Sequence, residues 1–369
     1  MQRVGFVGWR GMVGSVLLER MRAEGDFRGF EPVFFTTSNV GGAPPSVGLD
    51  APPLCDANDL AALASLDVVV SCQGGDYTTA THGKLRERGW RGAWIDAAST
   101  LRMRDDAVII LDPVNRDVID RAVAAGVRDF IGGNCTVSLM LMVMAGPIRA
   151  GMVEWVSSMT YQAASGAGAK NMQELVRQMQ VIGERAGSLA VDPAASALAL
   201  DRNVQETLTS DAYPVREFGV PLAASLIPWI DKPVADGQTR EEWKAHVEAN
   251  KILSLSPEVP IDGLCVRVGA MRCHSQALTI KLRREVPLPE LEDAIRSSNQ
   301  WAKVVPNEME ATKRELTPVT VAGTLDVKIG RLHSMRMGKD FVAAFTVGDQ
   351  LLWGAAEPLR RMLQLWLSR

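Results

Sequence analysis

The chain has 369 residues and a formal net charge of −3, so it is too long for one ordinary core and lacks the concentrated basic face that nucleic-acid backbones demand. No apolar run approaches a membrane span, and the N-terminus enters Arg3-Val4-Gly5-Phe6-Val7 without a signal-peptide pattern, which predicts a soluble, cytoplasmic protein of two domains. The five cysteines are odd in number and form no C-x-x-C pair, which argues against a disulfide framework or zinc site and predicts no metal.

Arg3 to Val7 reads as a buried strand, followed by Gly8-Trp9-Arg10-Gly11-Met12-Val13-Gly14 and the helical pattern Val16, Leu17, Leu18, Met21. A strand, a glycine-rich turn and a helix cradle a pyrophosphate at the helix N-terminus, although a plain turn would read the same locally. Trp9 stands where the usual fingerprint has a glycine. The second strand, Pro32 to Thr36, runs into Thr37-Ser38-Asn39 rather than an acidic residue. A carboxylate there would accept from a ribose 2′-hydroxyl and repel a 2′-phosphate, so hydroxyls together with Arg10 favour NADP.

Further β-α alternation follows. Asp67 to Ser71 is a strand before the turn Cys72-Gln73-Gly74-Gly75, Ala93 to Asp96 is another, Val108 to Leu111 pairs next, and Val118 to Val127 is a helix. This is the pattern of a doubly wound, mostly parallel sheet. Asp129-Phe130-Ile131 then ends in Gly132-Gly133-Asn134-Cys135, after which Met140, Leu141, Val143 and Met144 take helical spacing. Cys135 therefore opens a helix, where free N–H groups and the helix dipole favour a thiolate. The competing reading is a buried cysteine acting as a small hydrophobe.

After Gly151, Val153, Trp155, Ser157, Met159 and Tyr161 alternate with their neighbours, which predicts a half-buried strand in a mixed sheet. The small-residue loop Ala163 to Ala169 precedes a helix, Pro214 to Pro233 reads as an extended excursion, and Glu241 to about Leu253 as a helix. Cys265 to Ser275 and Leu278 to Leu282 are strands of the same sheet; the chain closes with Phe341 to Val347, a turn at Gly348-Asp349-Gln350, and a helix through Leu367 that can return to the first domain. Of four histidines, His274 alone lies among Arg267, Arg272 and Cys273. Arg267 and His274 are seven apart, so a regular strand would send them to opposite faces; a bulge near Gly269 or an exit from the strand would unite them.

Gly8-x-x-Gly11-x-x-Gly14, Gly133-Asn134-Cys135-Thr136, Gln162, and Cys265-x-Arg267 ahead of Cys273-His274-Ser275 resemble the aspartate-β-semialdehyde dehydrogenases of the enterobacterial type. The resemblance runs end to end, including Ser71 to Gly75 and Leu226 to Ile230. It implies a Rossmann-like NADP-binding domain over 1–133 with the C-terminal helix 355–369, an α+β mixed-sheet catalytic and dimerisation domain over 134–354, and a homodimer. It implies an oxidoreductase in which Cys135 forms a thiohemiacetal and then a thioester that phosphate releases as aspartyl phosphate, the reverse direction serving lysine, methionine, threonine and diaminopimelate biosynthesis. His274 falls on the family's acid/base position and Gln162 on the orienting one. Arg267 falls on the position for the substrate carboxylate and Glu241 on that for its ammonium, while Arg102, Lys244 and Asn134 fall on phosphate positions. Gly8, Arg10, Gly11, Met12, Val13, Thr37, Ser38, Gln73, Ser165, Gly166, Ala167, Gly168, Ala169, Pro193 and Gln350 fall on cofactor positions. Two alternatives stand beside this: a reductase of a related acyl phosphate, such as N-acetyl-glutamyl phosphate, and a redox-sensing nucleotide-binding regulator in which Cys135 is oxidised.

Overall fold

The computed structural model describes residues 1–369. Strands β1 (Arg3–Val7), β2 (Glu31–Thr36), β3 (Cys55–Asp56), β4 (Val68–Ser71), β5 (Ala93–Asp96), β6 (Ala107–Ile110) and β7 (Asp129–Gly132) pair in the order 3-2-1-4-5-7-6, every pair parallel. A sheet covered on both faces buries successive residues, which is why β4, β5 and β7 are buried throughout. Helices α1 (Met12–Ala23), α2 (Leu60–Ala64), α3 (Gly75–Glu87) and α4 (Asp112–Ala124) connect these strands. Helix α4 starts at Asp112, ahead of the predicted Val118, because Pro113 suits a first helical turn, where no N–H partner is needed.

The strand order reverses between β1 and β4, where open α/β sheets bind ligands. Gly8 takes φ +75°, and a Cβ there would lie 2.4 Å from the Cys72 carbonyl carbon, so the turns after β1 and β4 are in direct contact. Trp9, the departure from the glycine pattern, donates its indole N–H to the Phe35 carbonyl (3.0 Å) and sets its ring edge against Phe34. It thus clamps the first turn onto the end of β2.

From β7 the chain crosses Gly133-Asn134 into α5 (Cys135–Arg149), whose residues 136–145 are all buried. A helix apolar on every side must be a core element, and α5 fills the space under a mixed sheet. That sheet comprises β8 (Val153–Gln162), β9 (Leu226–Ile227), β10 (Ile261–Asp262), β11 (Cys265–Val268), β12 (Cys273–Leu282), β13 (Ala302–Val304), β14 (Val327–Met335) and β15 (Gly338–Asp349), ordered 13-14-15-12-8-11-9 with β10 also on β8. The alternation of β8 is realised, but the buried face is the alternate one: Val156, Ser158, Thr160 and Gln162 are buried, while Met159 and Tyr161, of the set that carried the prediction, are exposed on the other face. Helices α6 (Ala169–Val191) and α7 (Ala197–Leu208) form a hairpin outside the sheet; α8 (Arg240–Leu253), α9 (Leu288–Arg296), α10 (Met309–Glu315) and α11 (Pro318–Val321) complete this part.

A π-helical turn at Leu352–Ala356 leads into α12 (Glu357–Leu367). Leu359, Met362 and Leu363 of α12 share one core with Val4, Phe6 and Phe34 of the parallel sheet, each such side chain contributing about 1.5–3 kcal/mol by burial. Arg361 pairs with Asp112 and Arg360 with Asp26, both at 2.6 Å, which fixes the rotation of the helix on that sheet. No helix is long and apolar enough to cross a membrane, and no group of three or more His, Cys, Asp or Glu is placed to hold a metal ion.

Candidate active site

Strand β11 ends at Val268 and β12 begins at Cys273, and the two lie on opposite sides of β8. Of the two routes that could unite Arg267 with His274, the chain takes the exit from the strand, through Gly269–Arg272. Arg267 pairs in register with Gln162, and Ser275 with Tyr161, so His274 falls on the other side of Gln162. Three strands thus present Arg267, Gln162 and His274 in one row, all buried. The Ala163 peptide ties the row together: its N–H donates to His274 Nδ1 (3.0 Å) and its carbonyl accepts from Arg267 Nη1 (2.7 Å).

Cys135 faces this row from the first turn of α5. Asn134 is the N-cap, its Oδ1 accepting from the Thr136 and Val137 N–H groups (3.0 and 3.1 Å), which aims the turn at the sheet. Cys135 Sγ lies 3.3 Å from His274 Nε2. Behind the cysteine stands the π-helical turn, where a Cβ on Gly354 would come within 2.6 Å of Cys135 Cβ. Only glycine leaves the cysteine its place there.

Burial, with a smaller push from Glu241, drives the Cys135 thiol up to about 12 against Arg267, Lys244 and the Thr136 N–H. Burial, then the Arg267 charge, drives His274 down to about 3. The expectation of a thiolate at the helix start is therefore corrected for the free site: desolvation outweighs the helix terminus, and the pair rests as thiol and neutral imidazole. With Nδ1 accepting from Ala163, the neutral ring carries its proton on Nε2, toward the sulfur.

A second layer stands on α8. Glu241 Oε1 accepts from Asn134 Nδ2 (2.9 Å) and Gln162 Nε2 (3.2 Å), and Oε2 accepts from Lys244 Nζ (2.9 Å). Burial raises the Glu241 carboxyl, but Lys244 and these donors outweigh it and hold it below its ordinary value. Lys244, lowered by burial and raised more by Glu241 and Asp231, is held above its own. Arg102 donates to the Gly132 carbonyl (2.8 Å) and to Glu248 Oε1 (2.8 Å), while Glu248 Oε2 accepts the Asn134 N–H (2.7 Å). Glu248 was not anticipated, although it falls on the face of α8 that carries Glu241 and Lys244, and a carboxylate at i+4 and i+7 on a buried face is the signal that reveals it. Asp231 and Gly354 were likewise missed.

Arg102, Asn134, Cys135, Gln162, Asp231, Glu241, Lys244 and Arg267 border a cavity of about 620 Å³ between the two sheets, lined also by Met12, Val13, Ser165 to Gly168 and Gln350. Gln350 Nε2 donates to Ser165 Oγ (2.7 Å), closing the loop after β8 against the end of β15. Gly8, Arg10 and Gly11 occupy the turn after β1, Thr37 and Ser38 lie exposed past β2, Gln73 follows β4, and Ala169 opens α6. Pro193 is not brought here: it lies beyond the far end of the 23-residue α6, roughly 35 Å of helix from Ala169.

Residues 3–122 match the family described as "Semialdehyde dehydrogenase, NAD binding domain" and residues 146–353 that described as "Semialdehyde dehydrogenase, dimerisation domain", so fold and site together define an oxidoreductase of the semialdehyde dehydrogenase class. Among solved structures, aspartate semialdehyde dehydrogenase from Francisella tularensis is 48% identical, with 99% of this chain and 100% of that chain covered and a TM-score of 0.94. The fold is shared with aspartate semialdehyde dehydrogenase II from Vibrio cholerae (21% identity, TM-score 0.78, 100% and 98% covered) and with the Candida albicans enzyme (15%, 0.64, 100% and 99%). The chain belongs to the aspartate-semialdehyde dehydrogenase family.

Proposed function

We propose that this chain oxidises L-aspartate 4-semialdehyde with NADP and phosphate to 4-aspartyl phosphate, reversibly, through a thioester on Cys135. The observation that carries the reading is the 3.3 Å approach of Cys135 Sγ to His274 Nε2 beside a buried guanidinium, Arg267, that has no carboxylate partner of its own. Covalent capture divides a difficult transfer into two easier steps. Arg267 takes the substrate carboxylate as a two-pronged donor, and Glu241 takes the ammonium. As sulfur attacks the aldehyde carbon, the Nε2–H of His274 passes to the developing oxyanion and the thiol proton takes its place on Nε2, so one proton moves net from sulfur to oxygen, and Gln162 orients the hemiacetal. Substrate also offsets the lesser of the two effects that depress His274: its carboxylate balances the Arg267 charge, while burial, the larger effect, stays. Arg102, Asn134 and Lys244 hold the phosphate that displaces sulfur from the acyl carbon.

The residues of the parallel sheet suit a dinucleotide, since Gly8 lets the turns after β1 and β4 close on each other and Gly11, with little around it, leaves the N-terminus of α1 open to a pyrophosphate, and Arg10 with Thr37 and Ser38 suits a 2′-phosphate. NADP supplies the acceptor for the two electrons of the aldehyde. The cofactor residues in this reading are Gly8, Arg10 to Val13, Thr37, Ser38, Gln73, Ser165 to Ala169 and Gln350. The working units are 1–133 with 355–369 and 134–354, and the exposed Met159 and Tyr161 face of β8 suits burial in a homodimer. NADPH formation from aspartate semialdehyde, strictly dependent on phosphate and absent with N-acetyl-glutamyl semialdehyde, is the expected result. Turnover of the acetylated aldehyde instead would assign the related reductase, and peroxide-dependent modification of Cys135 without any aldehyde turnover would assign the regulator.

A further inference from the structure

Lys244 is shared by two carboxylates: Glu241 Oε2 at 2.9 Å and Asp231 Oδ2 at 3.0 Å. Glu241 is close to saturated, because its other oxygen already accepts from Asn134 and Gln162. An ammonium arriving at Glu241 would therefore sit against the Lys244 ammonium unless that lysine had somewhere else to go. Asp231 provides the place. It borders the cavity, its side chain is about a quarter exposed, and its backbone holds φ +72°, a conformation that among residues with a Cβ is mostly left to Asn and Asp. Its Oδ1 accepts the Lys232 N–H (2.8 Å) and its carbonyl accepts the Trp229 indole N–H (2.9 Å), so the turn is built to keep Oδ2 aimed at Lys244. Lys244 is the one cation in hydrogen-bond contact with these two carboxylates, Arg240 and Arg267 acting on them only at longer range, so an arriving substrate ammonium can take one carboxylate while Lys244 keeps the other.

We propose that Asp231 is a positioning residue that receives Lys244 when the substrate ammonium takes Glu241, and so couples the ammonium subsite to the phosphate subsite. A lysine has three donors; released from Glu241 and kept on Asp231, it turns the freed N–H toward phosphate. No bond forms or breaks. The inference rests on the assignment above of Glu241 to the ammonium and Lys244 to phosphate.

The test is Asp231→Asn, which keeps the left-handed turn and removes only the charge. Lys244 then has no second carboxylate, stays on Glu241, and competes there with the substrate ammonium instead of turning toward phosphate. The KM for aspartate semialdehyde is expected to rise about three- to fivefold, the scale of a partly exposed ion pair, and that for phosphate to rise with it. In a Lys244→Met background, Asp231→Asn is expected to leave the aldehyde KM unmoved, because there is no lysine to relocate, whereas a purely architectural role would raise it there as well. An unchanged aldehyde KM in the single variant, a phosphate KM that falls, or an aldehyde effect that persists without Lys244 would each overturn the proposal. Lys244→Met by itself reads the underlying assignment: a phosphate KM that does not rise removes Lys244 from the phosphate subsite, whatever Asp231 does to the aldehyde.

Discussion

The two walls of the cavity are built on different principles. On the parallel-sheet side the chain offers turns: the Gly8 to Val13 segment, the Thr37-Ser38 end of β2 and Gln73 after β4, most of them exposed and few tied to one another by side chains. On the mixed-sheet side it offers two runs of contacts of 2.7 to 3.3 Å, Cys135 to His274 to Ala163 to Arg267 and Gln162 to Glu241 to Asn134, which the chain itself joins at Gln162-Ala163 and Asn134-Cys135. Backbone geometry tolerates a change of side chain, whereas each member of a buried network leaves a partner unsatisfied when it is removed. Loss of function should therefore be steep on one wall and shallow on the other.

Cys135→Ala should break the chemistry most completely. Turnover is expected to fall by at least about 10³-fold, with NADPH binding retained when followed by fluorescence, since the cofactor wall is untouched. Substantial phosphate-dependent turnover in this variant would remove the covalent step.

The resting charge state sharpens the contrast next. With the thiol pushed up to about 12 and the imidazole down to about 3, the free protein holds its reactive thiolate only as a minor form near neutrality. Alkylation of Cys135 by iodoacetamide should accelerate roughly tenfold per pH unit from 7 to 9 without a plateau, because the thiolate fraction grows in proportion to hydroxide well below the thiol's pKa. A plateau reached below pH 8 would reveal a preformed thiolate-imidazolium pair.

Arg267→Lys keeps the charge and loses the fork. The kcat/KM for aspartate semialdehyde should drop roughly 10- to 150-fold, the scale of one charged hydrogen-bonding interaction, with NADP affinity nearly constant. A weaker NADP affinity with an unchanged aldehyde KM would move Arg267 to the cofactor.

The smallest effect is expected on the exposed wall. Ser38→Asp adds a carboxylate in solvent beside the turn proposed to take the 2′-phosphate, and the NADP over NAD preference should narrow by about fivefold in kcat/KM. An unchanged ratio would place the 2′-phosphate elsewhere.

The two walls also differed in how far they could be read from sequence. The parallel sheet was legible because its strands, apart from the two-residue β3 at Cys55–Asp56 that the sequence reading missed, are apolar runs next to their own turns, so Gly8, Thr37 and Gln73 could be placed by counting along the chain. Cys135 was legible for the same reason, at a strand, two glycines and a helix. The network was less so. That Arg267 and His274 flank Gln162 depends on β8 lying between β11 and β12, a crossing to which no local period points. The state of the thiol was misjudged because a helix start can be seen in sequence, whereas the burial that overrides it is assembled by α5, β12 and the turn at Gly354. Asp231 lay in a stretch read only as extended, and its left-handed backbone has no signature there beyond the identity of the residue.

Helix α12 also bears on how the protein is made. Leu359, Met362 and Leu363 complete the core that Val4, Phe6 and Phe34 begin, yet residues 134 to 356 must be synthesised between them. At about 5 to 20 residues per second that interval is on the order of 10 to 45 seconds, during which the nascent parallel sheet has an unfilled apolar face. The first third of the chain therefore emerges in need of its last eleven-residue helix, and a nonsense mutation just before Glu357 would be expected to leave both walls formed in outline and the first of them open to aggregation.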